Sequence, residues 1–359
     1  MKKAIVAVPY LKGTGGTETV IKNFAEALNV KQTNDGIKWK LISFGGSNGS
    51  SWLDGWDKKV YNFSKSRYMQ LAGYATCMPI LIASTLKKEK PNFFIATNPI
   101  IWNFAYKLKK IFSPNTKIIA WYHYSFKMKN IKTKYLKNTD EFWAISKGIK
   151  KELVSMGVKE SKITIVYNPI NITKPKKVKR TGRQNRFVYI GRIDYDGQKN
   201  VSELIKALNL VEGNWKCDLY GSVDDKIKTK LLKLANKNVQ EKISFKGFSE
   251  NVWDKIHEAD ILLLTSKYEG FVMVLCEAAI RGISLISSSC PMGPDEIINS
   301  ENGFLYKPGN VKELSSLIKD IVSQKSILPN SDQVIDSVKK FGYRSFSKRI
   351  LLSLRNNIN

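Results

Sequence analysis

The sequence EGFVMVLCE at positions 269–277 places two glutamates eight residues apart, on either side of a Gly-Phe turn and an apolar run. A turn at Gly270 exposes backbone N–H groups, and a helix beginning near Val272 would direct the positive end of its dipole toward them. The stretch therefore predicts an anion-binding turn. With the helix in place, Glu269 and Glu277 would lie roughly 10 Å apart, too far for two carboxylates that share a proton.

That separation suits a long ligand with a phosphate bridge in its middle. A nucleotide-sugar fits, with its sugar near Glu269, its diphosphate over the amides of Gly270–Val272 and its ribose near Glu277. An amphipathic helix that carries two surface glutamates would give the same spacing. The rest of the chain has to distinguish these alternatives.

The composition predicts a soluble globular protein of two domains. A length of 359 residues favours two cores, and 43% hydrophobic with 25% charged residues is typical of globular chains. We expect no transmembrane span, because the longest apolar stretches fall far short of ~18 residues. The start, MKKAIVAVPYLKG, favours a buried strand over a signal peptide. The cysteines form no metal-binding pattern and are interpreted as reduced core thiols of a cytoplasmic protein: Cys77, Cys217, Cys276 and Cys290.

The net charge of +28 is unevenly distributed. Residues 1–170 hold 28 basic and 10 acidic residues, an excess of 18. Such a surplus indicates an extended anionic partner, either nucleic acid or an acidic membrane surface. A general lysine-rich bias of the source proteome would give the same charge.

Strands and helices alternate in both halves, which favours two doubly wound parallel sheets. We expect a first domain over 1–172, a second over 173–340 and an amphipathic helix over 341–359. The polar, basic segment 171–186 is interpreted as a linker between the domains. In the second domain the pattern also predicts a helix over Val252–Glu258.

A second motif follows the first strand of the second half. Gly191 and Arg192 end that strand, and Lys199 lies seven residues further on in GRIDYDGQK. An arginine and a lysine at a strand end can clamp a diphosphate, although a solvated basic loop would look alike in isolation. The DYD sequence at 194–196 spells a D-x-D pattern, whose two carboxylates could bind a divalent metal. Because two cations already flank it, we expect no metal.

Three motifs in this order resemble glycosyltransferase family 4, whose members have the GT-B fold. They are GGTET at 15–19, the pair Arg192 and Lys199, and EGFVMVLCE at 269–277. SKYEGF, VYNPI and YIGRIDYDGQKN are similar to the bacterial lipopolysaccharide 1,6-galactosyltransferase group. The resemblance covers nearly the whole chain. It implies an α/β fold of two Rossmann-like, doubly wound domains facing across a cleft, with the last helix crossing back to the first domain.

By this resemblance, Arg192 and Lys199 hold the pyrophosphate of the donor and stabilise the charge of the leaving group. Glu269 would position the hydroxyls of the donor sugar, and Glu277 would accept hydrogen bonds from the ribose. The remaining donor contacts would come from Gly191 and from the backbone of Gly270, Phe271 and Val272.

In the first half, Gly15 and Gly16 would let the backbone approach the sugar-phosphate and the acceptor. Glu18 is a candidate acceptor contact, although a glutamate in the first turn of a helix is stabilising by itself. His123 ends a predicted strand, and family members often have a histidine near this point that touches the donor sugar. The alternative is a buried structural histidine.

The resemblance implies a retaining transferase that uses a nucleotide-sugar and no cofactor. We see no carboxylate placed for a covalent intermediate, so front-face attack is expected. UDP-galactose is the first candidate donor, with UDP-glucose and UDP-N-acetylglucosamine as alternatives. The expected acceptor is a cell-envelope glycan or glycolipid; teichoic acid and a protein-linked glycan stay open.

A basic cluster in the first half is a candidate contact with the acceptor or with an anionic membrane. Its lysines follow an aromatic patch formed by Trp121, Tyr122, Tyr124 and Phe126, a combination that suits an anionic leaflet. The cluster consists of Lys127, Lys129, Lys132, Lys134 and Lys137. A solvated helix face is the alternative. We expect a peripheral protein on the cytoplasmic face of the membrane. A polyanion-binding protein is the rival class, but no specific nucleic-acid motif is present.

Overall fold

The computed structural model describes residues 1–13, 15–32, 35–49, 51–63, 67–173, 175–183 and 185–356. The chain forms two compact units. Unit 1 comprises Met1–Asn171 together with Phe341–Asn359, and unit 2 comprises Ile172–Lys340. Each unit contains one parallel β-sheet with helices, so the predicted class of two doubly wound α/β domains is confirmed.

Unit 1 is built on a sheet of seven parallel strands in the order β3-β2-β1-β4-β5-β6-β7. The apolar run Ala4–Val8 lies in an interior strand and is fully buried, as expected where helices cover both faces. The elements are β1 Lys2–Val8, α1 Gly16–Leu28, β2 Ile37–Gly45, β3 Lys58–Asn62, α2 Arg67–Glu89, β4 Phe93–Ala96, α3 Pro99–Phe112, β5 Lys117–Ala120, α4 Thr133–Leu136, β6 Glu141–Ala144, α5 Lys147–Ser155 and β7 Ile163–Ile165.

Unit 2 has six parallel strands in the order β10-β9-β8-β11-β12-β13. The order places β8 beside β11, although many residues separate them in the chain. The elements are β8 Arg186–Ile190, α6 Val201–Leu208, β9 Lys216–Tyr220, α7 Asp225–Leu234, α8 Lys237–Lys242, β10 Ile243–Gly247, β11 Ile261–Leu264, α9 Met273–Ala279, β12 Ser284–Ser288, α10 Pro294–Ile297, β13 Gly303–Tyr306, α11 Val311–Val322 and α12 Ser331–Ser337.

The C-terminal helix α13, Tyr343–Asn356, packs on unit 1. Its apolar side chains Phe346, Ile350 and Leu354 are buried. The ring of Phe346 lies 5.7 Å from that of Phe24, which is surrounded by tryptophans of the core. The hydroxyl of Tyr343 donates a hydrogen bond to the Glu26 carboxylate at 2.8 Å. Positions 357–359 of the predicted helix lie outside the described residues.

Two local predictions in unit 2 are wrong. The predicted helix Val252–Glu258 is only a single 3-10 turn, Val252–Asp254. The helix cannot continue, because the carbonyl of His257 accepts a hydrogen bond from the N–H of Lys179 and the N–H of Ala259 donates to the carbonyl of Lys179. The same bonds show that the predicted linker is not free, since its second part is packed on unit 2. Positions 174 and 184 of that segment lie outside the described residues.

Two expectations about apolar segments also need correction. Within the described residues, one helix is long and apolar enough by length and composition to cross a membrane, namely Tyr68–Glu89 of α2. Only 22% of its most apolar stretch is buried. Pro79 lies inside this helix, which breaks the stretch into shorter apolar runs when the sequence alone is read. Cys77 on the same helix is exposed, whereas the other three cysteines are core thiols as predicted.

The segment leading into β8 is anchored by one buried carboxylate. Asp260, only 1% exposed, accepts hydrogen bonds from the backbone N–H groups of Thr181, Asn185 and Arg186 and from the Thr181 hydroxyl, at 2.6–2.9 Å. The neighbouring guanidinium of Arg180 donates to the carbonyls of two further segments of unit 2. These bonds fix the start of the strand that carries the Arg192 loop.

We expect Asp260→Ala to lower the free energy of unfolding by about 3 kcal/mol or more. The substitution leaves several buried N–H groups without an acceptor, each of which costs roughly 1–3 kcal/mol. Urea unfolding followed by tryptophan fluorescence measures the effect. Glu212→Ala, an exposed loop residue between α6 and β9, is the control and should change stability by less than about 0.5 kcal/mol. Equal effects of the two variants would contradict the anchoring role.

Candidate active site

The second sheet brings the loops after β8, β11 and β12 to one edge, because the carboxyl ends of parallel strands lie together. Lys199, in the loop after β8, places its Nζ 2.6 Å from Oε1 of Glu269, in the loop after β11. Their side chains are 18% and 8% exposed. Gln198 reinforces the contact by donating to the carbonyl of Tyr268. Two residues predicted to act on different parts of the donor thus form one largely buried ion pair.

The loop that carries Lys199 is shaped by Asp194. The carboxylate of Asp194 accepts hydrogen bonds from the backbone N–H groups of Lys199, at 3.0 Å, and Asn200, at 2.8 Å. Both of its oxygens are therefore engaged inside the protein, whereas Asp196 points to solvent. Within the described residues, no group of three or more His, Cys, Asp or Glu side chains could hold a metal ion. The first aspartate of the DYD sequence thus has a structural role in this loop.

Arg192 is the most accessible member of the group. Its side chain is 65% exposed, and its guanidinium lies 4.0 Å from Asp194. The position of its backbone is fixed because its carbonyl accepts a hydrogen bond from the hydroxyl of buried Tyr189 at 2.9 Å. An arginine with a fixed backbone and an exposed guanidinium can bind an anion in a bidentate manner.

Gly191 is approached closely by a residue that sequence reasoning missed. A Cβ built at Gly221, at the end of β9, would lie only 1.8 Å from the carbonyl oxygen of Gly191. The N–H of Gly191 donates to the carbonyl of Tyr220 in the same strand region. Only glycine permits this approach, so Gly221 helps to set the course of the Arg192 loop. A glycine at the end of a predicted strand was the available signal.

The turn at Gly270–Val272 packs against the loop after β12. The N–H of Glu269 donates to the carbonyl of Pro291 at 3.3 Å. Gly293, at φ 129°, packs against the backbone of Phe271, where a Cβ would lie 3.4 Å from the Phe271 Cα. In the part of the chain that the structure describes, no acceptor is found for the amides of Gly270 and Val272. These two groups remain available for the predicted anion.

Glu277 is the fifth residue of α9, which begins at Met273. Its Oε2 accepts a hydrogen bond from Nε1 of Trp253 at 3.0 Å. The guanidinium of Arg281 lies 4.4 Å from the centroid of the Trp253 ring. Burial raises the pKa of Glu277, and the Trp253 hydrogen bond and the charge of Arg281 oppose that shift. Trp253 was not predicted as a site residue, although an isolated tryptophan in the polar stretch SENVWDK was a signal.

In unit 1, the loop after β1 is closed by Glu18. Oε1 of Glu18 accepts a hydrogen bond from the N–H of Gly13 at 2.9 Å, and the residue is 4% exposed. A Cβ at Gly15 would lie 2.7 Å from Oε2 of Glu18, so a side chain there would displace the Glu18 carboxylate. A Cβ at Gly16 meets no atom within 4 Å. Glu18 therefore has a structural role in this loop, and its contact with an acceptor stays a prediction.

His123 lies three residues beyond β5, with its ring 4.5 Å from that of Trp121. Neither ring nitrogen has a hydrogen-bond partner among the described residues. Burial lowers the pKa of His123 to about 3, and the neighbouring Asn168 opposes this shift. The imidazole is consequently neutral at physiological pH. Both ring nitrogens are buried, so the contact of His123 with a donor sugar stays a prediction beside the alternative of a buried structural histidine.

The predicted aromatic patch is wrong in most of its members. Trp121, Tyr122 and Phe126 are buried in unit 1, and only Tyr124 is substantially exposed. These side chains follow β5 directly and complete the hydrophobic core. The lysines of the basic cluster are exposed, as expected: Lys127, Lys129, Lys132, Lys134 and Lys137. Beside this charge, Tyr124 and Met128 are the large apolar side chains of the segment 121–137 that are substantially exposed, so the apolar area is smaller than predicted.

Comparison with known proteins gives the class. Residues 14–174 match the family described as Glycosyltransferase Family 4, and residues 171–341 match the one described as Glycosyl transferases group 1. The chain belongs to glycosyltransferase family 4, which confirms the predicted membership. The two parallel-sheet units are the GT-B fold of this family.

The chain is also similar to individual proteins. Lipopolysaccharide 1,6-galactosyltransferase of Escherichia coli K12 is 30% identical over 324 residues, which are 87% of each chain. The solved structure of the lipopolysaccharide outer core galactosyltransferase WaaB, apo form, has a TM-score of 0.82 at 26% identity over 99% of each chain. The structure of Anabaena Alr3699/HepE in complex with UDP covers 99% of this chain and 100% of its own. At 15% identity and a TM-score of 0.80, it shows likeness of fold alone.

We expect Glu277→Gln to raise the free energy of unfolding near neutral pH. Because burial raises the pKa of Glu277, the folded state binds this proton more tightly than the unfolded state. The carboxylate therefore reduces stability above the raised pKa. The benefit of a neutral side chain should disappear as pH falls through that pKa to the ordinary carboxyl value.

Urea unfolding from about pH 4 to about pH 8 tests this expectation. Glutamine keeps an oxygen that can accept from Trp253, so the hydrogen bond is preserved. Glu241→Gln, on the exposed face of α8, is the control and should show no such trend. A gain for Glu277→Gln that is independent of pH would contradict the assignment.

Proposed function

We propose that the protein moves a hexose, with galactose as the first candidate, from a UDP-sugar to a hydroxyl of a cell-envelope glycan or glycolipid. Family membership establishes a glycosyltransferase. The buried Lys199–Glu269 pair beside the Gly270 turn carries the donor assignment. The E. coli relative is a galactosyltransferase and the Anabaena protein was solved in complex with UDP, which supports galactose and UDP, respectively. UDP-glucose or UDP-N-acetylglucosamine, with teichoic acid or a protein-linked glycan as acceptor, is the alternative.

The proposed chemistry assigns the positive charges to the leaving group. The ammonium of Lys199, which is largely buried, and the exposed guanidinium of Arg192 stabilise the UDP that departs. Glu269 orients the Lys199 side chain through their 2.6 Å contact, while its second oxygen accepts from the sugar hydroxyls. Glu277, held by Trp253, accepts from the ribose.

We propose transfer with retention and without a metal ion. The acceptor oxygen forms a bond to the anomeric carbon on the face from which the phosphate oxygen departs, and the acceptor proton passes to that oxygen. Glu269 is a poor nucleophile for a covalent route, because its charge is shared with Lys199 at 2.6 Å. Asp194 is a poor metal ligand, because both of its oxygens accept backbone hydrogen bonds.

The acceptor is assigned to unit 1, which carries the larger excess of positive charge. The exposed lysines of the basic cluster would attract an anionic or lipid-linked acceptor. We propose a cytoplasmic protein bound peripherally to the inner face of the cell membrane. His123, which is neutral, would form a hydrogen bond from unit 1 to the donor sugar.

The test is donor hydrolysis. The purified protein is incubated with UDP-, GDP- and ADP-sugars in EDTA without acceptor, and the released nucleoside diphosphate is quantified. Release of UDP from one UDP-hexose is expected and would name the donor. Release that requires a divalent ion would overturn metal independence. If no sugar is turned over, thermal stabilisation by UDP distinguishes acceptor dependence from a polyanion-binding protein, which would respond to nucleic acid instead.

We expect Arg192→Ala and Lys199→Ala each to reduce the turnover number by roughly 10²–10³, the usual result of losing one charge-stabilising group. Initial rates of UDP release measure the effect. Lys230→Ala, an exposed lysine of α7, is the matched control for loss of positive charge. If both site variants keep the turnover of the control, the assignment of the leaving-group contacts is wrong.

A further inference from the structure

A cavity of about 400 Å³ lies in unit 2, at the edge of the sheet opposite the Arg192 loop. Its lining includes Arg186 and Lys216, the first residues of β8 and β9, whereas the candidate active site lies where β8 and β11 end. Because β8 has five residues, the two places lie roughly 17 Å apart along the sheet. The volume falls within the range of ligand sites, about 300–1,000 Å³.

Positive charge dominates the lining of this cavity, which we call the β8–β9 cavity. Four of its nine lining residues are basic and one is acidic: Lys179, Arg183, Arg186, Lys216 and Glu258. Arg186 and Lys216 are paired in register on neighbouring parallel strands, which run about 4.8 Å apart. Like charges held this close repel each other, so the arrangement favours an anion beside them.

The carboxylates near the cavity are already compensated by cations. Glu258 lies 3.2 Å from the ammonium of Lys179. Asp218 lies 3.4 Å from the guanidinium of Arg186 and 3.3 Å from the ammonium of Lys246. Each of these carboxylates thus has at least one positive partner, and Asp218 has two. The other basic residues of the lining therefore keep their charge for a ligand.

Arg183 and Lys216 supply this uncompensated charge. Both side chains are exposed, and neither has a carboxylate within ion-pair distance among the described residues. The backbone of Arg183 is fixed, because its N–H donates to the Thr181 hydroxyl at 3.2 Å. Asp260 accepts from the N–H groups on either side of it, those of Thr181 and Asn185. A guanidinium on a loop fastened in this way is placed for an anion before the anion arrives.

We propose that the β8–β9 cavity binds the phosphate group of a phosphorylated saccharide. Arg183 can bind two phosphate oxygens at once, and the ammonium of Lys216 adds a point charge. The cavity has more than ten times the ~30 Å³ of one water molecule, so it holds more than a bare phosphate. The side-chain amide of exposed Asn214, another lining residue, is available for a sugar hydroxyl.

A nucleotide or a nucleic acid is the less favoured occupant. Trp215 lines the cavity but is only 1% exposed, and the ammonium of Lys242 lies over its ring, 5.1 Å from the centroid. The ring therefore offers no open face on which a base could stack. The inference does not depend on the donor assignment, because it uses residues at the opposite edge of the sheet.

The test is isothermal titration of the full chain with glucose 6-phosphate, with glucose and with maltotriose 6-phosphate. The test variant is Arg183→Gln with Lys216→Gln. The control is Lys230→Gln with Lys233→Gln, which removes the same charge from exposed positions of α7. We expect glucose 6-phosphate to bind the test variant at least about tenfold more weakly than it binds the wild type and the control. Glucose should bind none of the three proteins, and thermal unfolding checks that both variants keep the fold.

The trisaccharide distinguishes the two sources of the phosphate group. Tighter binding of maltotriose 6-phosphate than of glucose 6-phosphate would identify a longer phosphorylated glycan, and equal binding would identify a free sugar phosphate. Hydrolysis of the UDP-sugar should be unchanged in the test variant, because the cavity lies apart from the donor contacts.

Four outcomes would overturn the proposal. The first is no binding of either phosphorylated sugar to the wild type at up to about 10 mM. The second is equal weakening in the test variant and the control, which would mean net charge alone. The third is binding that the test variant keeps and Arg192→Ala with Lys199→Ala loses, which would place the phosphate in the donor site. The fourth is binding of single-stranded DNA, but not of glucose 6-phosphate, that the test variant loses.

Discussion

The ion pair between Lys199 and Glu269 depends on the order of strands in the second sheet. Seventy residues separate the two in the chain, and they meet only because β8 lies beside β11. Each charge would be costly to bury alone, and the contact between them offsets part of that cost. The loops on either side are then shaped to preserve the contact, one by Asp194 and the other by Gly293. The geometry offered to a donor phosphate follows from that arrangement.

The sequence was informative wherever function lay in short motifs at strand ends. Alternating apolar runs and helical patterns predicted both sheets, because strands covered on both faces are continuously apolar. Parallel strands then placed Arg192, Lys199 and Glu269 at one edge without further information. That two cations make a metal unnecessary stays a prediction. The structure adds that Asp194 accepts two backbone hydrogen bonds.

The features that escaped prediction are those that depend on distant partners. Trp253 contributes to the site only through its hydrogen bond to Glu277. The segment before β8 is held in place by Asp260, which lies 74 or more positions later in the chain. The exposure of side chains could not be predicted from the sequence either. Trp121, Phe126 and Tyr124 are all aromatic, yet of these three only Tyr124 is substantially exposed to solvent. In α2, apolar residues on all sides conceal which face is packed, and no periodicity can reveal it.

The return of α13 to unit 1 has a consequence for the order in which the domains can mature during synthesis. Unit 2 is continuous in the chain, whereas unit 1 needs residues on both sides of it. Until Phe346 and Ile350 have left the ribosome, the part of the core around Phe24 lacks its contacts with α13. The domain that is translated first is thus completed last. The aromatic core around Phe24 in the nascent first half of the chain is therefore incomplete until α13 has been synthesised.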